Sequence, residues 1–235
     1  MVAAWFSGLP RRSVVAMIRL TALTLAAAVL ALSISACGIT FGDDGPYTQQ
    51  NRDVGSFDRL EVHGSSDVIV KSGPGGVLTV KGGRNRVEDL TTRVEAGTLF
   101  VETRDSSGID FSDGGDVTVV VRAPSLAAAR VDGSGDLTLT EVRGRQLEVE
   151  VNGSGEVRAR GRVAALDAEV DGSGDLDFRD LAAATASLDI SGSGNADVDA
   201  RRRLDVDLRG SGDVRYSGDP LLSQDVSGSG TVTRG

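Results

Sequence analysis

Residues 131–137 read Val-Asp-Gly-Ser-Gly-Asp-Leu, and variants of this heptapeptide begin again at positions 151, 170, 190, 208 and 226. A period of 18–20 residues is typical of repeat proteins, in which each repeat is one supersecondary unit stacked on the next. Glycine supplies the backbone angles of a tight corner, and serine or aspartate bonds locally to the backbone there. The predicted structural turns are therefore Gly133, Gly135, Gly153, Gly155, Gly172, Gly174, Gly192, Gly194, Gly210, Gly212, Gly228 and Gly230.

Apolar residues keep a fixed phase around each Gly-Ser-Gly corner. They stand two and four positions before the first glycine and four and six positions after it, mostly with Asp, Glu, Arg, Thr or Ser between them. This alternation predicts one short strand on each side of the corner, with the apolar side chains inward. The predicted inward residues include Val131, Leu137, Val151, Val157, Val170, Leu176, Phe178, Ile190, Val198, Leu208 and Val214, and Gln224 breaks the pattern in the last repeat.

Two all-β architectures fit this pattern. In a parallel β-helix (β-solenoid) each repeat is one coil of about 18–20 residues, whereas in an antiparallel meander each Gly-Ser-Gly is a hairpin loop. The solenoid explains better why turn chemistry, phase and repeat length persist together, because stacked identical corners reinforce one another. We therefore predict a parallel β-solenoid with Gly-Ser-Gly turns, and small inward residues such as Ala159 and Ala168 indicate a narrow core.

The rest of the coil is less regular. The second linker of each repeat changes in length, over residues 141–146, 160–165, 179–187, 201–203 and 217–223. A variable corner opposite a constant one indicates that insertions are tolerated on one side of the stack. Arg201, Arg202 and Arg203 are interpreted as a solvated corner.

Upstream of residue 131 the repeat degenerates. Residues 113–116 (Asp-Gly-Gly-Asp) resemble a corner one repeat earlier, and residues 64–67 (Gly-Ser-Ser-Asp) resemble another. Strand patterns at Val77–Val80 and Leu99–Glu102 lie between them without a clean glycine turn. These segments are predicted to form longer, irregular first coils that cap the stack.

The first residues have the composition of a targeting signal. Three arginines at positions 11, 12 and 19 precede an apolar run over 20–32, which ends in Ile-Ser-Ala-Cys-Gly at 34–38. A basic region, an apolar region and small residues before a cleavage point describe a secretory signal, and this ending resembles the bacterial lipobox. The resemblance implies a lipoprotein signal peptide over 1–36 and lipidation of Cys37, whether translation starts at Met1 or Met17. The alternative is an uncleaved helix anchor, but the apolar run is shorter than the ~20 residues that a spanning helix needs.

Residues 37–56 are predicted to be a lipid-anchored flexible tether, because they are rich in Gly, Asp, Pro, Gln and Asn. The sequence thus predicts anchoring to the cell membrane on its extracytoplasmic face. Loss of the signal would remove three arginines and no acid, which takes the formal net charge from −9 to −12. A net charge this negative argues against a nucleic-acid partner, since phosphate binding needs a basic face.

Short motifs upstream of the repeat suggest a family. Residues 55–62 read Gly-Ser-Phe-Asp-Arg-Leu-Glu-Val, followed by Gly64, Val68 and Val70, by Leu-Thr-Val at 78–80, and by valines, Gly97 and Leu99 over 94–101. Together with the repeated turn they resemble the head GIN domain family of auto-transporter adhesins, over about residues 52–235. The resemblance implies a β-helical adhesin domain over 57–235 on a secreted or lipid-anchored envelope protein, and it transfers no catalytic residue.

The residue after each Gly-Ser-Gly is usually acidic, and in a solenoid these residues form a ladder. Calcium could bridge such carboxylates, with Asp136, Glu156, Asp175 and Asp213 as candidate ligands. The alternative is a solvated ladder in which the acids cap backbone amides and salt screens their repulsion. The latter is favoured, so no cofactor is predicted, and Ca²⁺ is kept as the exception.

The sequence contains no strong signal for a catalytic site. A polysaccharide lyase or hydrolase needs a distinct carboxylate pair, whereas the acids here recur in register. His63 with Ser65, Ser66 and Asp67 lies too close along one strand and turn to suggest triad geometry. Cys37 is the one cysteine and His63 the one histidine, which excludes disulfides and most His- or Cys-based metal sites.

The sequence therefore predicts a non-catalytic envelope lipoprotein for adhesion, scaffolding or ligand binding. Cell-wall glycan or another envelope protein is the expected partner, and the membrane is reached through the lipid. Self-association through the C-terminal edge strands, near Val226–Thr233, is a further prediction. The alternatives are a carbohydrate-active β-helix enzyme and a purely structural envelope component.

Overall fold

A computed structural model describes residues 45–103 and 117–235 of the chain. It confirms the predicted all-β class and the parallel β-solenoid. All described residues belong to one compact unit, Gly42–Gly235. The predicted signal peptide, Cys37 and residues 113–116 lie outside the described residues.

Strands account for nearly all the regular structure in the described part of the chain. One short helix, α1, spans Arg84–Asp89. The strands are β1 Tyr47–Asp53, β2 Arg59–Gly64, β3 Asp67–Ser72, β4 Val77–Gly83, β5 Leu90–Glu95, β6 Thr98–Thr103, β7 Thr118–Ala123, β8 Ala128–Gly133, β9 Leu137–Gly153, β10 Glu156–Gly172, β11 Asp175–Gly192, β12 Ala196–Gly210, β13 Val214–Ser217, β14 Leu221–Gly228 and β15 Val232–Arg234.

Each coil contributes to two parallel sheets. The first sheet stacks β6, β2, β8, the second halves of β9–β12, and β14. The second sheet stacks β7, β3, the first halves of β9–β12, β13 and β15. The chain passes from the first sheet to the second at the Gly-Ser-Gly turn, here called the constant corner. It returns through residues 141–146, 160–165, 179–185 and 199–203, here called the variable corner.

The spatial order of the first coils differs from their order in the chain. Gly64 lies directly under Gly133, although 69 residues separate equivalent positions of the two coils. The coil that contains β6 and β7 stacks on the far side of β2 and β3. The neighbour of the first clean repeat is therefore the Gly64 coil, which the order of the chain did not indicate.

Antiparallel strands close the N-terminal end. β4 pairs with β7 and carries β1 on its outer edge, while β5 forms a hairpin with β6. The strands predicted at Val77–Val80 and Leu99–Glu102 lie within β4 and β6. The polar sequence of β1 suits a capping strand, because terminal units of a stack need a polar outer face.

The predicted tether over 37–56 is wrong in its second half. Tyr47–Asp53 is β1, paired in register with Val77–Gly83, and Arg52 donates to the carbonyl oxygens of Leu90 and Val87 at 2.7 and 2.8 Å. A polar strand without apolar alternation gives no sequence signal for pairing, so its composition resembled a linker. The domain already holds the backbone at Pro46, whose carbonyl oxygen accepts the amide hydrogen of Arg84 at 3.2 Å.

The predicted inward positions form the core. They are buried in every coil except the last, where Val226 is 37% exposed and Val232 and Tyr216 are only partly buried. The variable corner adds core residues that the repeat pattern did not predict: Val142, Val163, Leu181, Ala183 and Ala200. No helix in the described residues has the length and apolarity required to cross a membrane.

Candidate functional site

The constant corner is built by close backbone stacking. The amide of each serine donates to the carbonyl oxygen of the first glycine one coil below, as from Ser193 to Gly172 at 2.8 Å. A Cβ added to Gly192 would lie 1.9 Å from that oxygen, and Gly192 has φ +135°. The twelve predicted turn glycines all occupy this corner, and a Cβ on any of them would approach within 1.8–2.7 Å of a neighbouring coil's backbone. This corner leaves no room for a ligand-binding side chain.

The acidic ladder beside this corner is a chain of hydrogen bonds between coils. Asp136 Oδ1 accepts the amide hydrogen of Glu156 at 3.0 Å, and Asp175 Oδ1 accepts that of Asn195 at 2.8 Å. Asn195 Oδ1 and Asp213 Oδ1 repeat the contact toward the amides of Asp213 and Thr231. The carboxylates therefore cap backbone amides of the next coil, and the hydrogen bonds from Thr231 lower the pKa of Asp213.

Glu156 departs from the ladder. Its longer side chain turns to Arg158, while Asp136 and Asp175 occupy the same position in the coils on either side. Burial raises the pKa of Glu156, and the charges of Asp136 and Asp175 add to the effect. The ionised form of Glu156 is therefore less favourable in the folded protein than in the unfolded chain.

Replacing Glu156 with asparagine should stabilise the protein at neutral pH. Asn195 shows the hydrogen bonds that the new asparagine should form. Its side chain donates to Asp175 and accepts from the amide of Asp213. One added hydrogen bond and one fewer carboxylate should raise Tm by about 2–4 °C, measured by circular dichroism. Because the folded pKa of Glu156 is raised, its destabilising effect is absent below its unfolded pKa, and the gain should shrink as the pH falls into that range.

Asp213→Asn is the matched control, with the opposite sign. The pKa of Asp213 is lowered by the fold, so its charge contributes stability above its unfolded pKa, and this contribution is lost as the pH falls through the folded pKa. The variant should lower Tm at pH 7 and match wild type in acid. Equal shifts for both variants would contradict the ladder assignment.

The calcium candidates Asp136, Glu156, Asp175 and Asp213 thus lie in one ladder. Within the described ranges, no group of three or more His, Cys, Asp or Glu side chains has an arrangement that could hold a metal ion. The prediction of a solvated ladder without a cofactor, and the alternative of bound Ca²⁺, both stay untested.

Several outward acids are paired with arginines. Arg179 bridges Asp177 and Asp197 at 2.7 and 2.8 Å. Arg215 adds a further contact to Asp197 at 3.5 Å. This cluster therefore has the character of a structural ion-pair network.

The residues of the weak triad point in different directions. His63 Nδ1 lies 3.2 Å from Asp132 Oδ2 on the outer face of the first sheet. The Ser66 hydroxyl is buried and lies 3.2 Å from Thr103 Oγ1. The structure therefore does not bring a base to a serine nucleophile at this place.

The first sheet presents an acidic outer face that the sequence pattern did not single out. Glu150, Glu169, Asp189, Asp207 and Asp225 lie in register in five successive coils. They stand three positions before each first glycine, so the signal was present in the repeat. Arg209 bonds to Asp189 at 3.0 Å and to Asp207 at 2.5 Å, but such arginines are few. This face therefore repels anions.

The variable corner is the basic part of the molecule. Its four described passes contain eight arginines and three acids: Arg143, Arg145, Arg160, Arg162, Arg179, Arg201, Arg202 and Arg203, against Glu141, Asp180 and Asp199. Stacking places the arginines at 201–203 beside the corners of the preceding coils. The sequence alone indicates only a solvated corner there. Sequence reasoning missed this convergence because the linkers differ in length and do not align.

A groove of about 880 Å³ opens at this corner. Arg143, Arg160 and Arg162 line it, together with the small residues Gly144 and Ala164. Glu141 stands at its rim with φ +57°, a left-handed conformation that is uncommon for a residue other than glycine. Positively charged side chains around an open depression form the best candidate binding site in the described part of the chain.

Comparison with solved structures supports the fold. A crystal structure of a "putative adhesin" from Bacteroides fragilis matches with a TM-score of 0.65 and 19% identity, covering 80% of this chain and 97% of that one. A second "putative adhesin", from Parabacteroides distasonis, matches with a TM-score of 0.52 and 20% identity, covering 82% and 98% of the two chains. The search of curated proteins found no match.

A family model also matches the sequence over residues 56–220, which is well over half of the chain. Its description is "Putative auto-transporter adhesin, head GIN domain", and this agrees with the resemblance seen in the ordered motifs and in the repeated turn. The chain belongs to the head GIN domain family.

Proposed function

We propose that the protein is a lipid-anchored, non-catalytic envelope module that binds a cell-surface ligand at its variable corner. The observation that carries this proposal is the placement of variation in length and an excess of arginine along one edge of a rigid stack. The other corner is fixed by backbone contacts, whereas the variable corner differs in length from coil to coil. Binding proteins commonly place their ligand contacts on such variable segments of a rigid scaffold.

Family membership supports a place at the cell surface or in the envelope, because the family description is that of adhesins. The lipobox-like ending at residues 34–38 supports anchoring through Cys37. Since the amide of Arg84 donates to the carbonyl oxygen of Pro46 and β1 begins at Tyr47, residues 38–44 would form the tether. Fully extended, they would span about 25 Å at ~3.3–3.6 Å per residue, which would hold the solenoid close to the membrane.

Replacing Cys37 with alanine should release the protein from the membrane. The thiol is the proposed attachment point of the diacylglyceryl group, and stable anchoring takes more than one acyl chain. The variant should move from the detergent phase to the aqueous phase, or accumulate as a precursor, in phase-partitioning experiments on cell fractions. Ser35→Ala (a change of the same size within the signal) is the control and should partition as wild type. Unchanged partitioning of Cys37→Ala would contradict the anchor.

Ligand binding is tested with purified peptidoglycan and wall glycans from the producing cell. Saturable binding without release of soluble fragments supports the proposal. Fragment release that is lost in Asp177→Asn or Asp197→Asn would instead support a carbohydrate-active enzyme, because Arg179 holds these two carboxylates side by side. No binding under any condition would favour a structural envelope component.

A further inference from the structure

Two arginines stack directly on one another at the variable corner. Arg143 of β9 and Arg162 of β10 are register partners in a parallel pair, so their Cα atoms lie about 4.8 Å apart. Both side chains are exposed, and within the described ranges neither makes an ion pair or a side-chain hydrogen bond. Like charges on adjacent strands destabilise a sheet, so this pair costs stability and gains nothing within the described chain.

Many other arginines of the described chain are ion-paired. Arg130 bonds to Asp132 and Glu150, and Arg209 bonds to Asp189 and Asp207. The repeat therefore places an acid beside an arginine where the arginine serves the fold. The Arg143–Arg162 pair makes no such contact, although Glu141 lines the same groove.

The groove gives the two guanidinium groups access to a shared ligand. Its walls include Gly144, Ala164 and Ala184, whose small side chains leave the space above the arginines open. Arg160 lies on the same groove and contacts only the exposed Asp180, at 3.3 Å. Three guanidinium groups can thus converge on one anionic group.

The basic surface extends beyond the groove. Arg203 lies in register with Thr185, and Thr185 with Ala165 and then Gln146. The arginines at 201–203 therefore stand three coils from Arg143, about 14 Å along the stack at the ~4.8 Å spacing of strands. Arg201 and Arg203 also contact Asp199 and Asp205. A single small anion cannot reach both ends, whereas an extended chain with repeated charges can.

We propose that this corner binds a linear phosphate-bearing polymer, with one phosphate group held between Arg143 and Arg162. The inference rests on the proposed function and names the chemistry of its ligand. A tetrahedral phosphate offers several charged oxygens to more than one guanidinium fork, whereas a carboxylate is satisfied by one bidentate arginine. The acidic face formed by Glu150, Glu169, Asp189, Asp207 and Asp225 would keep the polymer on this corner.

An anionic membrane surface fits less well. Surfaces that bind membranes by an interfacial face present apolar side chains for insertion. Of the large exposed apolar residues of the described chain, Tyr47, Val77 and Val226 lie outside the variable corner, and Leu221 stacks on Arg203 at its far end. The basic groove itself has no such residue in its lining and suits a polymer chain.

The test measures binding of fluorescent inorganic polyphosphate to the full chain in neutral detergent. Wild type should bind saturably, and Arg143→Gln/Arg162→Gln should weaken binding about tenfold or more, since hydrogen bonds to charged groups are the strong ones. The slope of log Kd against log salt concentration should fall by about one to two, because each arginine–phosphate contact releases a counterion. Removing two stacked like charges should leave Tm equal or higher.

Arg59→Gln/Arg234→Gln is the matched control. It removes the same charge from exposed positions on β2 and β15, so its affinity should stay within about twofold of wild type. Equal losses in the two double variants would overturn the proposal in favour of non-specific attraction. Displacement of the probe by polygalacturonate as readily as by unlabelled polyphosphate would overturn the choice of phosphate. Displacement by mixed micelles of the detergent with phosphatidylglycerol, but not with phosphatidylcholine, at a lower phosphate concentration than unlabelled polyphosphate needs, would assign the site to a lipid surface.

The same variants separate this inference from the proposed function. If Arg143→Gln/Arg162→Gln still binds wall material as wild type does, the phosphate site is wrong while ligand binding stands. If wild type binds polyphosphate but no wall material, the site stands and the proposed wall ligand is wrong.

Discussion

Gly192→Ala is expected to unfold the middle of the solenoid. The new Cβ would lie 1.9 Å from the carbonyl oxygen of Gly172, and that oxygen accepts the amide hydrogen of Ser193. The backbone at Gly192 also has φ +135°, which L-residues rarely adopt. Since neither coil can move without breaking its other neighbours, the cost should exceed about 4 kcal/mol. Urea denaturation followed by circular dichroism measures it.

Two further glycines separate the steric and conformational parts of this effect. Gly76 has φ +117° but open space around its Cβ position, so Gly76→Ala tests backbone strain alone, expected at about 1–2 kcal/mol. Gly212 has an ordinary φ but a Cβ position 1.8 Å from the carbonyl oxygen of Gly194, so Gly212→Ala tests contact alone. A small loss of stability in Gly212→Ala would show that the two coils lie further apart than this contact implies.

Phe178→Ala should give the second large loss of stability. Phe178 is fully buried, in register with Val198 of the next coil. The small Ala159 fills the corresponding inward position one coil below, so the aromatic ring occupies space that no other side chain can fill. We expect a cost of about 3–5 kcal/mol from lost burial and from the cavity.

Phe100→Ala provides the comparison for this measurement. Phe100 points outward from β6 and stacks under Arg93, with the guanidinium carbon 4.4 Å from the ring centre. The same atoms are removed without opening a core cavity, so the cost should stay near 1 kcal/mol. Similar losses in urea titrations of the two variants would contradict the assignment of Phe178 to the core.

The repeat predicted the part of the core that keeps its phase. Val131, Leu176 and Ile190 are inward because each stands at a fixed distance from a glycine corner. Leu181 and Ala200 are as deeply buried, but the register shifts between Phe178 and Ala182. A shift of register removes the period that sequence reasoning relies on, so core residues beyond it have no fixed position in the repeat.

The stacking order of the first coils could not be predicted from the sequence, for a related reason. The corner at residues 64–67 has serine where the regular corners have their second glycine. A Cβ on Gly64 would meet the side chain of Thr103 at 3.2 Å and not a carbonyl oxygen, so the packing that enforces both glycines is relaxed there. Without the full motif, the sequence cannot show which coil stacks on Gly133.

The candidate site likewise has one part that the repeat predicts and another that only the structure reveals. Arginine at positions 143 and 162 carries no motif, and only pairing of β9 with β10 makes the two residues neighbours. The acidic ladder was predicted because it adjoins the constant corner. Function here depends on residues that the repeat does not align, so the structure was needed to bring them together.

The spatial order of the first coils, which differs from their order in the chain, also determines how the chain can grow during synthesis and during evolution. The Gly64 coil lies between segments that both follow it in the chain, so it stays incomplete until the residues up to Gly133 have emerged. From Glu156 onward each coil is laid on the one just completed. Duplication or loss of one unit in this region would change the height by one layer of about 4.8 Å and leave both ends intact. Gene duplication can therefore set how far the tip of the molecule projects.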